Sequence, residues 1–116
     1  MNQNIRNSYP APDFTLLKEM AEGDHDFFME IISLFLENAP AMVTAMKDNS
    51  DNEDLDKLRF VSHKILSDLH IVGIKYAIGT VESIEKSAAI GINERDLVKL
   101  AVEMINYGIE DLKKVK

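Results

Sequence analysis

Apolar residues recur every three or four positions from about residue 13 to the end of this chain, the spacing of one face of an α-helix. No alternating run bounded by turn residues interrupts them, so the expected fold class is all-α. A short first helix starts with Asp13 as its N-cap, carries Leu16, Leu17 and Met20, and stops at Gly23. Asp24 then caps a long second helix whose stripe runs through Phe28, Ile32, Phe35, Ala39, Met42 and Met46. Phe27, Ile31 and Val43 widen that stripe, as packing on more than one neighbour requires. Pro40 removes one backbone donor within the helix, which predicts a bend near Leu36 rather than a break. The segment KDNSDNED, residues 47 to 54, reads as a polar loop in which Ser50 or Asp51 caps the next helix.

A third helix, about 53 to 71, carries Leu55, Leu58, Ser62, Ile65, Leu69 and Val72 on its inner face and stops at Gly73. The fourth, about 75 to 89, buries Ala77, Val81, Ile84 and Ala88, with Gly91 as terminator. Asn93 caps a fifth helix, about 94 to 114, whose inner side is expected to be Leu97, Leu100, Ala101, Met104 and Tyr107. Asp96 lies close to capping-box geometry and suits the positive end of that helix. Four substantial helices joined by short polar loops predict an antiparallel up-down four-helix bundle with a short extra N-terminal helix capping one end. Residues 1 to 11 read as a flexible, polar lead-in, and 12 to 116 as a single bundle domain.

Composition narrows the function classes. A chain of 116 residues forms one core and leaves no room for a separate substrate lobe. With 13 basic against 20 acidic residues and a formal charge of −7, neither a nucleic acid nor an anionic membrane surface is an expected partner. Cysteine is absent, which excludes disulfides and thiolate zinc sites and fits a reducing cytoplasm. The opening MNQNIRNSYP has no hydrophobic signal core, and no uninterrupted apolar run reaches the roughly 18 residues of a membrane span, so a cytoplasmic location is expected.

The candidate chemistry lies in RFVSHKILSDLH, residues 59 to 70. Burial of Leu58, Ser62, Ile65 and Leu69 turns His63 toward water, with Arg59, Phe60, Leu66 and Ser67 as its surface neighbours at three and four residues. A charged rim with an exposed Phe and Leu around a polar ring is the pattern of a docking patch. Periodicity alone leaves another reading open, with His63 a solvated bystander and Phe60 and Leu66 tucked against neighbouring helices. His70 is seven residues on, about 10 Å along the axis, too far for both rings to bind one metal. No metal site is expected from it. DNSDNED lacks the central Gly and terminal Glu of a calcium loop, His25 reads as solvated, and the Met residues fall largely at core spacing.

Several features combine in a fixed order: Gly23-Asp24 followed by Phe27 and Phe28, FLENAP at 35 to 40 with its mid-helix proline, SHK at 62 to 64, then Gly73 and a charged last helix. Over roughly residues 13 to 112 this order resembles the histidine-containing phosphotransfer domains of two-component phosphorelays. The family's site motif looks like His-Lys-x-Lys-Gly-Ser, and here that stretch stands as HKILSD. The resemblance implies that His63 is the phosphoacceptor and matches Lys64 to the basic residue that follows it; by charge and position, Lys64 and Arg59 are expected to stabilise the phosphoryl group. It implies docking over Phe60, Leu66, Ser67 and His70. Leu66 stands where a second Lys is usual, Ser67 replaces Gly, and Asp68 replaces a small polar residue. Ser67 either fills space that Gly would leave to a partner or donates a hydrogen bond to the imidazole.

The implied function is that of a phosphorelay intermediate, a phosphocarrier rather than a self-sufficient enzyme. It would accept a phosphoryl group from a receiver-domain aspartate and pass it to another receiver. No cofactor of its own is implied, because the divalent metal is expected on the partner receiver. The implied partners are a response-regulator receiver domain and, next, a hybrid histidine kinase, with the chain itself a monomer. The alternative is a degenerate adaptor that binds a receiver or kinase without efficient transfer, motivated by Leu66, Ser67 and Asp68.

Overall fold

A computed structural model of the protein describes residues 9 to 115. Within them lie five α-helices, α1 (Thr15–Ala21), α2 (His25–Asp51), α3 (Leu55–Val72), α4 (Ile78–Ala89) and α5 (Arg95–Lys113), with a 3-10 turn at Lys75–Ala77 before α4. Among the described residues there is no strand. Helices α2 and α4 each pack against both α3 and α5, and α1 packs on α2 and α3. The core they enclose includes Ile32, Phe35 and Met46 of α2, Leu58, Ile65 and Leu69 of α3, Val81 and Ile84 of α4, and Ile105 and Leu112 of α5. The expected inner faces of α3 and α4 are therefore buried, Leu55 alone being only half-buried.

The ends of the helices show which local signals act. Asp24 is the N-cap of α2, its carboxylate accepting from the Phe27 N–H at 3.0 Å. Helix α2 runs unbroken through Pro40. For α1 the N-cap is Phe14 rather than Asp13; the Asp13 carboxylate instead accepts from both the N–H and the Oγ1 of Thr15. Residues 1 to 8 of the expected lead-in lie outside the described residues. Its last part is anchored, not free: the Tyr9 ring stacks on Tyr76 at 4.5 Å and tilts against Tyr107 at 5.3 Å. Burial of the Tyr76 phenol, helped by Asp111 and Tyr9, pushes its pKa up to about 12.

Two further regions depart from expectation. The polar run from Lys47 does not form a loop, because α2 continues to Asp51 and the cap of α3 is Asp54, which accepts from the Lys57 N–H at 3.2 Å. Ser50 is buried in the last turn of α2, and Asn93, expected to cap α5, is its partner. The Asn93 Oδ1 accepts from Ser50 Oγ and its Nδ2 donates to the Ser50 carbonyl, each at 2.8 Å. Two residues read as separate caps thus tie the end of α2 to the α4–α5 loop. The N-cap of α5 is Glu94.

The second correction concerns α5. Its buried side is Val98, Ala101, Ile105, Gly108, Ile109 and Leu112, whereas Leu97, Met104 and Tyr107 are half-buried and Leu100 is 36% exposed. Both sets satisfy the three-and-four spacing, and packing on α2 and α4 selects one of them.

By length and composition alone α2 could also cross a membrane. Here its stripe from Ile32 to Met46 is buried in the core.

Ser62 is fully buried, and among the described residues its hydroxyl has no hydrogen-bond partner. A buried unpaired hydroxyl is destabilising, so Ser62→Ala should raise the unfolding free energy by about 1 kcal/mol. Urea denaturation of the two proteins measures this; a loss of stability would mean the hydroxyl is satisfied in solution.

Candidate functional site

The outward face of α3 follows from its buried stripe. Leu58, Ser62, Ile65 and Leu69 point inward, which turns Asp56, Phe60, His63, Ser67 and His70 to the opposite side, and all five are exposed. The His63 side chain is 72% exposed, and Phe60 beside it is 70% exposed. A half-turn pattern on α4 brings the second component. Val81, Ile84 and Ala88 are buried there, and Glu85, one residue past Ile84, reaches across to α3.

The Glu85 Oε2 lies 2.9 Å from His63 Nδ1. An ionised carboxylate only accepts hydrogen bonds, so this pairing places a proton on Nδ1 and leaves the Nε2 lone pair as the nucleophilic one. The carboxylate also stabilises the positive charge that develops on the ring when Nε2 forms a new bond. His63, Glu85, Asp56, Arg59 and Phe60 line an open concavity of about 410 Å³. A ring with one nitrogen fixed and the other available, sharing a concavity with a guanidinium and an exposed phenyl, can take up an electrophilic group and present it to a covering surface.

The expected site residues divide between two flanks of α3. Arg59 shares the concavity with the ring. Lys64 does not; it lies on the α2 side, in a shallow groove with Met42, Ala45, Lys57 and Phe60. Ser67 and His70 are exposed on the same outward face as His63, but the hydrogen bond to the ring comes from Glu85 rather than from Ser67. Leu66, expected in the docking patch, is half-buried and packs against the core, because it lies on the Arg59 flank where α3 begins to turn inward. Phe60 is then the large apolar side chain that stands clear of α3. Among the described residues no group of three or more potential ligands could hold a metal ion.

Sequence reasoning did not find Glu85. It is 22 residues from His63 and has no motif of its own; its one signal is its place beside Ile84, at the edge of the buried stripe of α4. Asp68 was also read only as a departure from a motif. It is half-buried, and desolvation holds its carboxyl above the ordinary range despite the opposing attraction of Lys64.

That shift has a direct consequence for stability. With a folded pKa above the unfolded one, the ionised form carries a penalty above the folded value. As pH falls through that value the native state takes up its proton first, and the penalty is relieved. Asp68→Asn should therefore be more stable than wild type at pH 7, with the difference shrinking toward pH 4. Paired denaturation curves at the two pH values test this, and a difference that grows on acidification would contradict it.

Compared with protein-family models, with curated proteins and with solved structures, the chain matches none.

Proposed function

We propose that this protein is a phosphocarrier of the histidine phosphotransfer type, an antiparallel up-down bundle of α2 to α5 with α1 capping one end. His63 accepts a phosphoryl group from the aspartyl phosphate of a receiver domain and passes it to another receiver. The observation that carries this reading is the exposed His63 ring at the middle of α3, with Nδ1 held by Glu85 and Nε2 left as the nucleophile.

In the forward step Nε2 attacks phosphorus, the N–P bond forms, and the acyl phosphate P–O bond breaks to return the receiver's carboxylate. No proton has to leave Nε2, because the ring enters with its proton on Nδ1. That proton stays shared with Glu85 while the ring becomes cationic. Phosphoryl transfer of this kind depends on positioning and on neutralising the equatorial oxygens. Arg59 is placed for the second task from inside the concavity, and the receiver supplies its own divalent cation. Phe60, Ser67 and His70 give the receiver a surface to cover.

Glu85 is a positioning residue in this scheme. The pair is largely solvent-screened, so its contribution is about 1 kcal/mol, or roughly a fivefold change in rate. Glu85→Ala should slow transfer by about that factor, whereas Glu85→Gln, whose amide oxygen can still accept from Nδ1, should recover most of it. Equal rates for the two variants would remove the tautomer argument.

The assignment is tested by incubating the protein with phosphorylated receivers from its host. An acid-labile, base-stable label supports it, and no label with any receiver overturns it. A second reading, an adaptor that binds a receiver without efficient transfer, is favoured by the carboxylates of Asp56 and Glu85 in the concavity, which repel a phosphoryl group. Receiver binding without a label would select that reading.

A further inference from the structure

On the α2 side of α3, one turn beyond Lys64, the chain holds a half-buried carboxylate where a fully solvated residue would be easier to accommodate. Asp68 opens into a groove of about 220 Å³ whose other walls include Ile31, Leu34, Phe35, Asn38 and Ile71. Leu34 is 45% exposed, so the groove has an apolar rim at the surface as well as an apolar floor. Among the described residues no donor lies within hydrogen-bonding or ion-pairing distance of the Asp68 carboxylate, and Lys64 acts on it only at longer range.

We propose that Asp68 is a specificity-determining carboxylate that receives a basic side chain inserted by the cognate receiver into the α2–α3 groove. The inference rests on the phosphocarrier reading and adds to it the chemistry by which the partner is chosen. Largely apolar walls around one carboxylate, with the Asn38 amide also lining the groove, fit a long cationic side chain, whose methylene stem lies along Ile31, Leu34 and Ile71 while its head meets the carboxylate. The carboxylate is already partly desolvated in the free protein, so pairing removes less hydration than it would at an open surface. Asp68 is five residues from His63, about 7.5 Å along the axis of α3. It also lies roughly 140° around the helix from the ring, so a domain that covers His63 reaches the groove by straddling the exposed crest of α3 at Phe60 and Ser67. A second copy of this chain is a poor occupant, because both copies would carry a charge of −7.

The groove also discriminates. A receiver with a neutral or acidic residue at the matching place would leave the carboxylate unpaired and more deeply buried, which opposes binding. At the other end of the same α2–α3 seam Lys57 presents positive charge, its pair among the described residues being an exposed one with Asp54 at 3.7 Å, and Lys64 lies between, one turn from Asp68. Lys57 and Asp68 are eleven positions apart, roughly 16 Å. The partner surface is thus expected to be acidic toward Lys57 and basic toward Asp68, which fixes its direction on the bundle.

The test uses a receiver that labels His63, and measures the half-saturating receiver concentration and the saturating transfer rate. Asp68→Asn should raise the half-saturating concentration about tenfold at low salt, and Asp68→Lys further, with the loss falling on saturation rather than on the saturating rate. The difference should shrink near about 0.5 M salt. Reversing one Lys or Arg of the receiver should reproduce the defect, and Asp68→Lys should rescue that receiver. Because Asp68→Asn is expected to be the more stable protein, weaker binding by it is not a folding defect.

Half-saturation within twofold of wild type for both variants would overturn the inference while leaving the phosphocarrier assignment intact. So would self-association, measured by sedimentation, that Asp68→Lys abolishes, since the occupant would then be a second copy. If no receiver labels His63, the assignment itself fails and this inference goes with it.

Discussion

If His63 is the phosphoacceptor as proposed, His63→Gln should lower phosphoryl uptake from a receiver by about a thousandfold or more, to the background of the assay, because it removes the proposed nucleophile and not a group that assists it. The carboxamide nitrogen of Gln has its lone pair delocalised into the carbonyl and does not attack phosphorus. Its N–H can still donate toward Glu85, so the α3–α4 pairing keeps a substitute. The ring is largely exposed and outside the core, and surface changes of this kind move stability by about 0.5 kcal/mol or less. The variant should therefore fold, unfold at nearly the wild-type temperature, and still bind the receiver. Label counted after base treatment and after acid treatment, in parallel with a binding measurement, separates these quantities. Retention of the label would move the acceptor to another residue. His70, on the same outward face, is the first alternative to examine, and His25 at the start of α2 the second.

The helices were legible in the sequence because their signals are local. The inner stripes of α3 and α4 follow from spacing alone, and Asp24 and Gly73 mark ends through their own backbone and side-chain preferences. His63 could be placed outward for the same reason. What spacing cannot supply is the choice between two faces that both qualify. In α5 the stripe through Leu97 and Leu100 fits as well as the one through Val98 and Ala101, and only packing on two neighbouring helices decides. Nor can it supply pairs that meet across helices. Ser50 with Asn93 and His63 with Glu85 are separated by 43 and 22 residues, and each partner read alone looks like a cap or a solvated charge. The site was therefore half legible: its exposed imidazole follows from one helix, but the carboxylate that pairs with the ring belongs to another.

Gly73→Ala should cost about 3 to 4 kcal/mol although it deletes no side-chain atom. Gly73 ends α3 in the left-handed region, at φ 77°, with its N–H donating to the Leu69 carbonyl at 2.9 Å. A left-handed alanine costs about 1 to 2 kcal/mol by itself. The rest arises because a Cβ at this position would overlap the backbone of Asp13, which crosses α3 here and donates its N–H to the Gly73 carbonyl at 2.9 Å. The segment before α1 must move away, breaking that bond and pulling the Asp13 carboxylate from Lys75, its partner at 2.8 Å.

Gly23→Ala is the control. Its φ is 86°, yet open space surrounds the position, so it should lose only the backbone term. Thermal unfolding should place Gly73→Ala roughly 10 °C or more below wild type, with Gly23→Ala between them. Acid provides a second readout. Hydrogen bonds from Lys75 first, and then Thr15, hold the Asp13 carboxyl well below the usual carboxylate range. Its contribution is present above the unfolded pKa and is lost as pH falls through the folded one. In Gly73→Ala that contribution is already gone, so the gap to wild type should narrow on acidification while the gap for Gly23→Ala stays constant. A constant gap for both would mean that the alanine is accommodated by α3 alone and that the Asp13 segment keeps its place.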